Sequence, residues 1–279
     1  MTELCKKRVW GPTPNYPKVL EYKRSDNEFI VIAGPCSVEN KEQIFSLAGK
    51  VKALGATHLR GGVFRAGTYP GDSFGYVDMD LIRSFNQAAL ENGLKNIIEI
   101  LDYDWLALEK VLPYADCLQV GARSQQNYTL LRKLGATGKT IFLKRNTGCT
   151  LDEWLGSAEH LLAGGDCKPV LIERGSSTHM NHVRHDLSIS VIPAVKLMTQ
   201  IPIIVDAAHG TGRWDLVQPM TLAGIAAGAD GFLCEVHENP RKSLSDPEQA
   251  LYPIEFENLM TKVNRLRSIY PWGNYGIRS

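Results

Sequence analysis

The fold is decided by residues 140–173, where the short apolar run TIFLK (140–144) precedes the segment LDEWLGSAEHLLA (151–163) and a second apolar run, VLIE (170–173). Both runs are continuous rather than alternating in polarity, which is typical of strands buried on both faces of a parallel sheet. The segment between them has the apolar spacing of an amphipathic helix. Together they predict a strand, a crossover helix and a parallel strand.

This unit recurs along the whole chain of 279 residues. The predicted strands are residues 29–33, 58–61, 96–100, 117–120, 140–144, 170–173, 203–206 and 231–235. The predicted helices are residues 41–54, 79–92, 104–112, 126–134, 151–163, 189–198, 215–227 and 255–268. Eight such units predict a single (β/α)8 TIM barrel. An open doubly wound sheet is the alternative, but no GxGxxG motif follows the first predicted strand.

The domain organisation follows from these limits. We predict an N-terminal extension over residues 1–28, which contains Pro12, Pro14 and Pro17, and a barrel over residues 29–279. The extension is too short for a separate regulatory domain, so we expect it to pack on the barrel.

Composition excludes several classes of function. Lys and Arg number 31 against 30 Asp and Glu, which leaves a net charge of +1 and predicts neither a nucleic-acid surface nor a polybasic membrane patch. No apolar run approaches the roughly 20 residues of a membrane span. The six cysteines contain no CxxC pair, which favours a reducing compartment. We therefore expect a cytoplasmic protein without nucleic-acid or membrane partners.

Four cations lie at or just after the ends of predicted strands. They are Arg60, Arg123, Lys144 and Arg174, and the loops after the strands carry the active site of a TIM barrel. In a chain of net charge +1, four cations at one opening need anions, and a phosphate and a carboxylate on one small substrate would balance them. Arginine pairs two oxygens at once through its planar fork. The alternative is that each cation forms a surface or interface salt bridge.

A second set consists of Cys36, His209, Glu235 and Asp246. A thiolate, an imidazole and two carboxylates suit a divalent ion such as Mn²⁺, Fe²⁺, Co²⁺ or Zn²⁺. Their sequence spacing does not show whether they bind a metal ion, because they come from three different loops. Cys36 could instead be a small buried hydrophobe, His209 a loop histidine and Asp246 a helix N-cap.

Several motifs resemble those of the type I DAHP (3-deoxy-7-phosphoheptulonate) synthases, in the short bacterial branch related to the octulosonate-phosphate synthases. They are IAGPCSVE (32–39), LRGG (59–62), QVGAR (119–123), LKR (143–145), IERG (172–175), VDAAHGTGR (205–213), ADG (229–231) and EVH (235–237). The resemblance covers residues 28–255 in order. It implies the eightfold barrel and a transferase of the shikimate pathway of aromatic amino acid biosynthesis. It also implies a homo-oligomer, either a dimer or a tetramer.

The resemblance also assigns roles within the site. It implies that Cys36, His209, Glu235 and Asp246 bind the divalent metal. Arg123, Lys144 and Arg174 match residues that hold the phosphate of phosphoenolpyruvate, and Arg60 and Lys144 match those near its carboxylate. The reaction would be an aldol-type condensation of phosphoenolpyruvate with an aldose phosphate or related aldehyde, giving a 3-deoxy-2-ulosonate and phosphate.

The group that transfers protons stays open in this chemistry. Lys144, His209 and a metal-bound water are all candidates for proton transfer. Cys36 argues against the metal-free octulosonate-phosphate synthases, which carry Asn at this position.

Two segments depart from the family pattern. The family's Lys-Pro-Arg-Thr loop, whose Arg holds the acceptor phosphate, is replaced here by RAGT (65–68), so that Arg65 replaces the Lys, Gly67 the Arg, and Thr68 is kept. The Arg-Thr pair after the sixth strand is replaced by SSTH (176–179). One interpretation is that Arg65 or another cation, such as Arg184, binds the acceptor phosphate in place of the missing Arg. The other is that the acceptor differs and lacks a terminal phosphate.

Three further readings compete with this one. The chain could be a Schiff-base aldolase in which Lys144 forms the imine, or a phosphate-binding barrel isomerase. It could also be an inactive barrel that serves as a subunit or regulator.

Overall fold

A computed structural model describes residues 19–63, 78–100 and 105–269. Its centre is a closed parallel barrel in which the strands follow one another in sequence order and β1 pairs with β8. The strands are β1 (Ile30–Gly34), β2 (His58–Arg60), β3 (Lys95–Ile100), β4 (Cys117–Val120), β5 (Thr140–Lys144), β6 (Lys168–Glu173), β7 (Ile203–Asp206) and β8 (Gly231–Glu235). This architecture confirms the predicted (β/α)8 barrel.

Helices follow the strands along the chain, and the last of them comes after β8. They are α1 (Lys41–Ala53), α2 (Met79–Glu91), α3 (Trp105–Val111), α4 (Tyr128–Gly135), α5 (Leu151–Leu162), α6 (Val191–Met198), α7 (Ala207–Thr211), α8 (Trp214–Ala226) and α9 (Pro253–Ile269). Among the described residues, no helix is both long enough and apolar enough to cross a membrane.

The unit at residues 140–173 shows why these elements form. Thr150 caps α5 by accepting from the backbone N–H of Glu153, and the Glu153 carboxylate accepts from the backbone N–H of Thr150 at 2.8 Å. This capping box satisfies N–H groups that have no partner inside the helix. Trp154 is fully buried and donates through Nε1 to the carbonyl of Leu143, which fixes α5 against β5.

Inside the barrel, apolar side chains give way to charged ones toward the C-terminal ends of the strands. Successive side chains of a strand point to opposite faces, so residues two apart share a face. Phe142 and Lys144 are such a pair on β5, as are Leu233 and Glu235 on β8. The apolar interior layer consists of Ile30, Ile32, Ile97, Cys117, Phe142, Val170, Ile172, Ile204 and Leu233. The polar layer above it contains Arg60, Glu99, Gln119, Lys144, Asp206 and Glu235.

The other end of the barrel is closed by the segment before β1. Asp230, just before β8, binds Arg24 Nη1 and Lys196 Nζ at 2.6 Å each, and its Oδ2 accepts from the backbone N–H of Ile203 at 2.9 Å. Val19 is buried and its carbonyl accepts from the Thr199 hydroxyl. Residues 1–18 lie outside the described residues, so the domain boundary at residue 28 stays a prediction.

Candidate active site

Three of the four predicted metal ligands come together at the C-terminal end of the barrel. One ligand atom from each of Cys36, Glu235 and Asp246 lies within 4.8 Å of the others, and Cys36 Sγ is 3.1 Å from Asp246 Oδ2. The register pairs Gly34 with Glu235, which brings the Cys36 turn beside the end of β8. Ser37 and Ser245 share a hydrogen bond of 2.8 Å between their hydroxyls, which holds the Asp246 loop against this turn.

The fourth predicted ligand, His209, joins this group through Glu235. Its Nε2 lies 3.4 Å from Glu235 Oε1. Asp206 N-caps the short helix α7 through the backbone N–H of His209 and also binds the ring Nδ1, at 2.8 Å from Oδ2. With the Nδ1 proton donated to this carboxylate, the Nε2 lone pair is available to a metal.

Charge compensation keeps both buried carboxylates ionised. Burial opposes the ionisation of Asp206, but the charges of His209 and Lys144 outweigh it and hold its pKa well below the usual range. Burial opposes the ionisation of Glu235 in the same way, and the charges of Arg60 and His209 lower its pKa. Glu235 also accepts from Gln249 Nε2 at 2.8 Å. The carboxylates of Asp206 and Glu235 therefore offer anionic oxygens at the centre of the site.

The thiol and the aspartate of the set have distinct local features. Burial, with the negative charge of Glu235, raises the pKa of the Cys36 thiol, so a metal that takes this ligand must displace a proton. Asp246 has a φ of 45°, the left-handed region that L-residues other than Asn and Asp rarely enter.

The predicted phosphate-binding cations surround the opening next to this group. Lys144 Nζ lies 3.2 Å from Asp206 Oδ2, and Arg174 Nη2 donates to the carbonyl of His209 at 3.3 Å. Arg174 Nη1 is buried and has no hydrogen-bond partner among the described residues. Burial lowers the pKa of Arg174, opposed by Asp206 and assisted by the positive charges of Arg184 and Arg123. A buried donor among mutually repelling cations fits an anion such as phosphate.

Arg60, by contrast, is turned toward the predicted metal ligands. Its Nη1 forms a short ion pair with Glu235 Oε1, and its Nη2 lies 3.4 Å from the carbonyl of Cys36. Arg60 therefore contacts the group of Cys36 and Glu235 directly. Any contact with a substrate carboxylate would use its remaining N–H groups.

The loop after β6 adds two residues to this opening. Arg184 Nη2 lies 3.5 Å from Asp246 Oδ1, and its side chain packs over Gly212. Burial, with the charges of Arg174, Arg184 and His209, lowers the pKa of His185 to about 4. His185 is therefore neutral near pH 7, and its buried Nδ1 has no partner among the described residues.

Comparison with known proteins identifies the family. Residues 19–269 match the model of the DAHP synthetase I family. The chain belongs to this family. A phospho-2-dehydro-3-deoxyheptonate aldolase of Thermotoga maritima is 39% identical over 259 residues, which are 93% of this chain and 76% of that protein. A 2-dehydro-3-deoxyphosphooctonate aldolase of Desulfotalea psychrophila is 26% identical, over 88% of this chain and 91% of that protein.

Solved structures agree with the DAHP synthetase I assignment. A crystal structure of the DAHP synthase of Thermotoga maritima aligns with a TM-score of 0.82 and 38% identity, over 88% of this chain and 70% of that chain. A truncated form of the Thermotoga maritima synthase has a TM-score of 0.80 and 36% identity, and covers 94% of this chain and 95% of that chain. This protein is thus an enzyme of the 3-deoxy-ulosonate synthase type, which carries out an aldol-type condensation of phosphoenolpyruvate.

Two predicted residues of this DAHP synthetase I chain cannot be placed. Arg65 and Thr68 lie in residues 64–77, outside the described residues, so their assignment to the acceptor stays a prediction. Sequence reasoning also missed residues that the structure brings into the site. It treated Asp206 only as the end of a strand, and it gave no role to Gln249 or His185. The Asp206–His209 spacing could have indicated the capping carboxylate, because N-cap side chains bind the N–H groups of the first helical turn.

Proposed function

We propose that this enzyme is a metal-dependent synthase that condenses phosphoenolpyruvate with an aldose phosphate or related aldehyde, as a DAHP synthase does. The observation that carries the proposal is the adjacency of two chemical sets at one end of the barrel. Cys36, Glu235 and Asp246 offer ligand atoms within 4.8 Å of one another, and the unpartnered Arg174 Nη1 lies in the neighbouring cluster of cations.

The proposed ligands fit a divalent ion. Soft thiolate, imidazole and hard carboxylate donors suit Mn²⁺, Fe²⁺, Co²⁺ or Zn²⁺, and Asp206 leaves Nε2 of His209 open toward Glu235. We expect Cys36, His209, Glu235 and Asp246 to hold the ion. When bound, it would supply Lewis-acid chemistry at the aldehyde oxygen.

The remaining residues bind and orient phosphoenolpyruvate. Arg123, Lys144 and Arg174 hold its phosphate, and Arg60 with Lys144 lies near its carboxylate. C3 of phosphoenolpyruvate then bonds to the aldehyde carbon, and water captures the positive charge that develops at C2. The resulting hemiketal phosphate loses inorganic phosphate. The main contribution of the cations is to position the reactant for this attack.

The arrangement of Lys144 supports this role over that of an imine-forming amine. Its Nζ is 3.2 Å from the fully buried carboxylate of Asp206 and forms an ion pair with it. An ion pair suits a cation that binds an anion, whereas imine formation needs a neutral amine. Borohydride treatment in the presence of substrate should therefore trap no covalent adduct on Lys144.

The experiment that tests the proposal measures phosphate release from phosphoenolpyruvate with a panel of aldehydes, before and after chelation. We expect release with at least one aldehyde, loss on chelation and recovery with a divalent ion. No release with any aldehyde, despite binding of phosphoenolpyruvate, would instead support the inactive-barrel alternative.

A second candidate differs only in the acceptor. Gly67 stands where the family pattern has the Arg that holds the acceptor phosphate. An aldehyde with a smaller or differently charged tail would not need that cation. The same panel, with phosphorylated and dephosphorylated acceptors compared, separates the two candidates.

The homo-oligomeric state, a dimer or a tetramer, and the cytoplasmic location stay predictions.

A further inference from the structure

A buried ion pair lies directly behind two of the phosphate-binding cations. Arg145 Nη1 is 2.9 Å from Glu173 Oε2, and the side chains are 9% and 0% exposed. Arg145 follows Lys144 at the end of β5, and Glu173 precedes Arg174 at the end of β6. Alternation along the strands turns the pair away from the interior face that Lys144 shares with Phe142.

The second oxygen of Glu173 holds the loop that follows β6. Its Oε1 accepts from the backbone N–H of Gly175 at 2.8 Å and from that of Ser188 at 3.4 Å. Arg174 therefore lies in the chain between Glu173, which supplies this carboxylate, and Gly175, whose N–H the carboxylate binds. Ser188 lies where the same loop returns toward α6, so one side chain fixes both the start and the end of the loop.

Arg145 fixes the neighbouring strand end to the same carboxylate. Its backbone N–H donates to the carbonyl of Ile172 at 3.0 Å, and its Nη2 donates to the carbonyl of Cys149 at 3.2 Å. Its guanidinium also lies 5.9 Å from the centre of the Trp154 ring. The ends of β5 and β6, and the loop after each, are thus joined through one pair of side chains.

The side chain of Arg174 needs such support. Its guanidinium makes one long hydrogen bond, 3.3 Å to the carbonyl of His209, and its Nη1 has no partner among the described residues. Its direction therefore depends on the backbone that carries it. A buried ion pair generally stabilises a fold no more than apolar side chains of the same size would. Stability alone gives no reason for a charged pair at this position.

We propose that the Arg145–Glu173 pair positions Lys144 and Arg174 for phosphoenolpyruvate, by fixing the distance between the ends of β5 and β6 and the path of the loop after β6. Both are positioning residues, because they act through the neighbouring cations and do not touch the substrate. The inference rests on the proposed function, which assigns Lys144 and Arg174 to the phosphate of phosphoenolpyruvate.

The test compares the double variant Arg145→Met/Glu173→Leu with the wild type. Apolar side chains replace the pair without leaving a lone buried charge, so the barrel should still fold. We expect the KM for phosphoenolpyruvate to rise on the order of tenfold to a hundredfold, because small misplacements of binding groups are costly. The KM for the acceptor should rise less than that for phosphoenolpyruvate, because only Arg184 of the same loop is a candidate for acceptor binding, and the cooperativity of thermal unfolding should stay at its wild-type value.

Two further variants make the result specific. Glu173→Gln keeps an oxygen for Gly175 and Ser188 but loses the ion pair, so we expect its KM for phosphoenolpyruvate to lie between those of the wild type and the double variant. The Glu173→Gln variant also tests the inference if the double variant does not fold. Asp230→Asn is the matched control, because Asp230 pairs with Arg24 and Lys196 at the opposite end of the barrel. It should lower the Tm and leave the KM for phosphoenolpyruvate unchanged.

A folded double variant or Glu173→Gln variant with the wild-type KM for phosphoenolpyruvate would overturn the inference. So would equal rises in the KM values of both substrates, which would indicate general loosening of the site. A wild-type enzyme that releases no phosphate from phosphoenolpyruvate with any aldehyde would instead overturn the proposed function.

Discussion

Asp206 Oδ2 lies 2.8 Å from Nδ1 of His209, and the same oxygen lies 3.2 Å from Nζ of Lys144. One carboxylate thus contacts both a proposed metal ligand and a proposed phosphate-binding cation. The fully buried carboxylate orients the imidazole and compensates the charge of the lysine.

Replacing Asp206 by Asn should therefore affect both sites. The amide keeps the shape of the side chain but loses its charge, so it no longer compensates Lys144. We expect a loss of roughly 10- to 100-fold in metal affinity or kcat/KM, as is usual for residues that orient metal ligands. Metal titration and steady-state kinetics on the same preparation measure both effects. Wild-type metal affinity together with wild-type kcat/KM would contradict the bridging role.

Removing the metal should abolish activity. Chelation should stop phosphate release, and one of several divalent ions should restore it. Cys36→Ala should weaken metal binding strongly, because it removes the one soft donor of the set. Cys149→Ala is the matched control, since the Cys149 thiol donates to the carbonyl of Asn146 and is not one of the proposed metal ligands. Full activity after exhaustive chelation would rule out a metal-dependent mechanism.

Arg174→Ala should damage the use of phosphoenolpyruvate. Loss of one charge-assisted partner in a desolvated site costs about 2–5 kcal/mol, so kcat/KM for phosphoenolpyruvate should fall by orders of magnitude while the barrel stays folded. Arg83→Ala, which removes an exposed pair with Asp80, is the control. Unchanged kinetics of Arg174→Ala would show that this arginine has a structural role only.

If the second candidate is correct, erythrose 4-phosphate should be a poor acceptor. Its dianionic tail needs a cation, and Gly67 replaces the family's Arg. Each 1.4 kcal/mol of lost contact lowers kcat/KM about tenfold. The measurement compares erythrose 4-phosphate, its dephosphorylated analogue and other small aldehydes, and Gly67→Arg should improve the use of the phosphate ester. If erythrose 4-phosphate gives the highest kcat/KM at ordinary biosynthetic efficiency, Arg65 or Arg184 supplies the missing charge.

Acid should destabilise the barrel through His58. Burial, with the nearby charge of Lys95, lowers the pKa of this buried histidine from 6.5 to about 4. Between these two pH values the unfolded chain binds the proton more readily, so the free energy of unfolding should fall as the pH drops from 6.5 toward 4. The slope from one such group is on the order of 1 kcal/mol per pH unit. Denaturant melts of the wild type and His58→Leu measure it, and equal slopes would contradict the assignment.

Much of this fold could be predicted from local sequence pattern. The bounds of β4, β5, β7 and β8 agree with the prediction, because apolar runs buried on both faces carry a strong signal. Helix α7 was missed, since Ala207–Thr211 is short and contains small residues without an apolar period. Its formation depends on the carboxylate of Asp206, which caps it.

The site was predicted less completely than the fold. The structure places ligand atoms of Cys36, Glu235 and Asp246 within 4.8 Å of one another, with His209 Nε2 3.4 Å from Glu235, which their sequence spacing could not show. That these residues bind a metal stays a prediction. The Arg145–Glu173 pair was not foreseen, because it depends on the register of β5 with β6 rather than on either motif. Arg60 was predicted as a substrate cation, and the structure pairs it with Glu235, a contact that the motifs did not indicate. Its contact with a substrate stays a prediction.

The change from apolar to charged side chains within two residues of a strand also bears on how such enzymes diversify. On β5 and β8, Phe142 and Leu233 belong to the apolar core, whereas Lys144 and Glu235 belong to the proposed active site. A substitution in the polar layer can alter which molecule is bound without changing the apolar interior layer. Lineages can therefore inherit one scaffold and acquire separate acceptors, as the similarity of this chain to both heptonate and octonate aldolases illustrates.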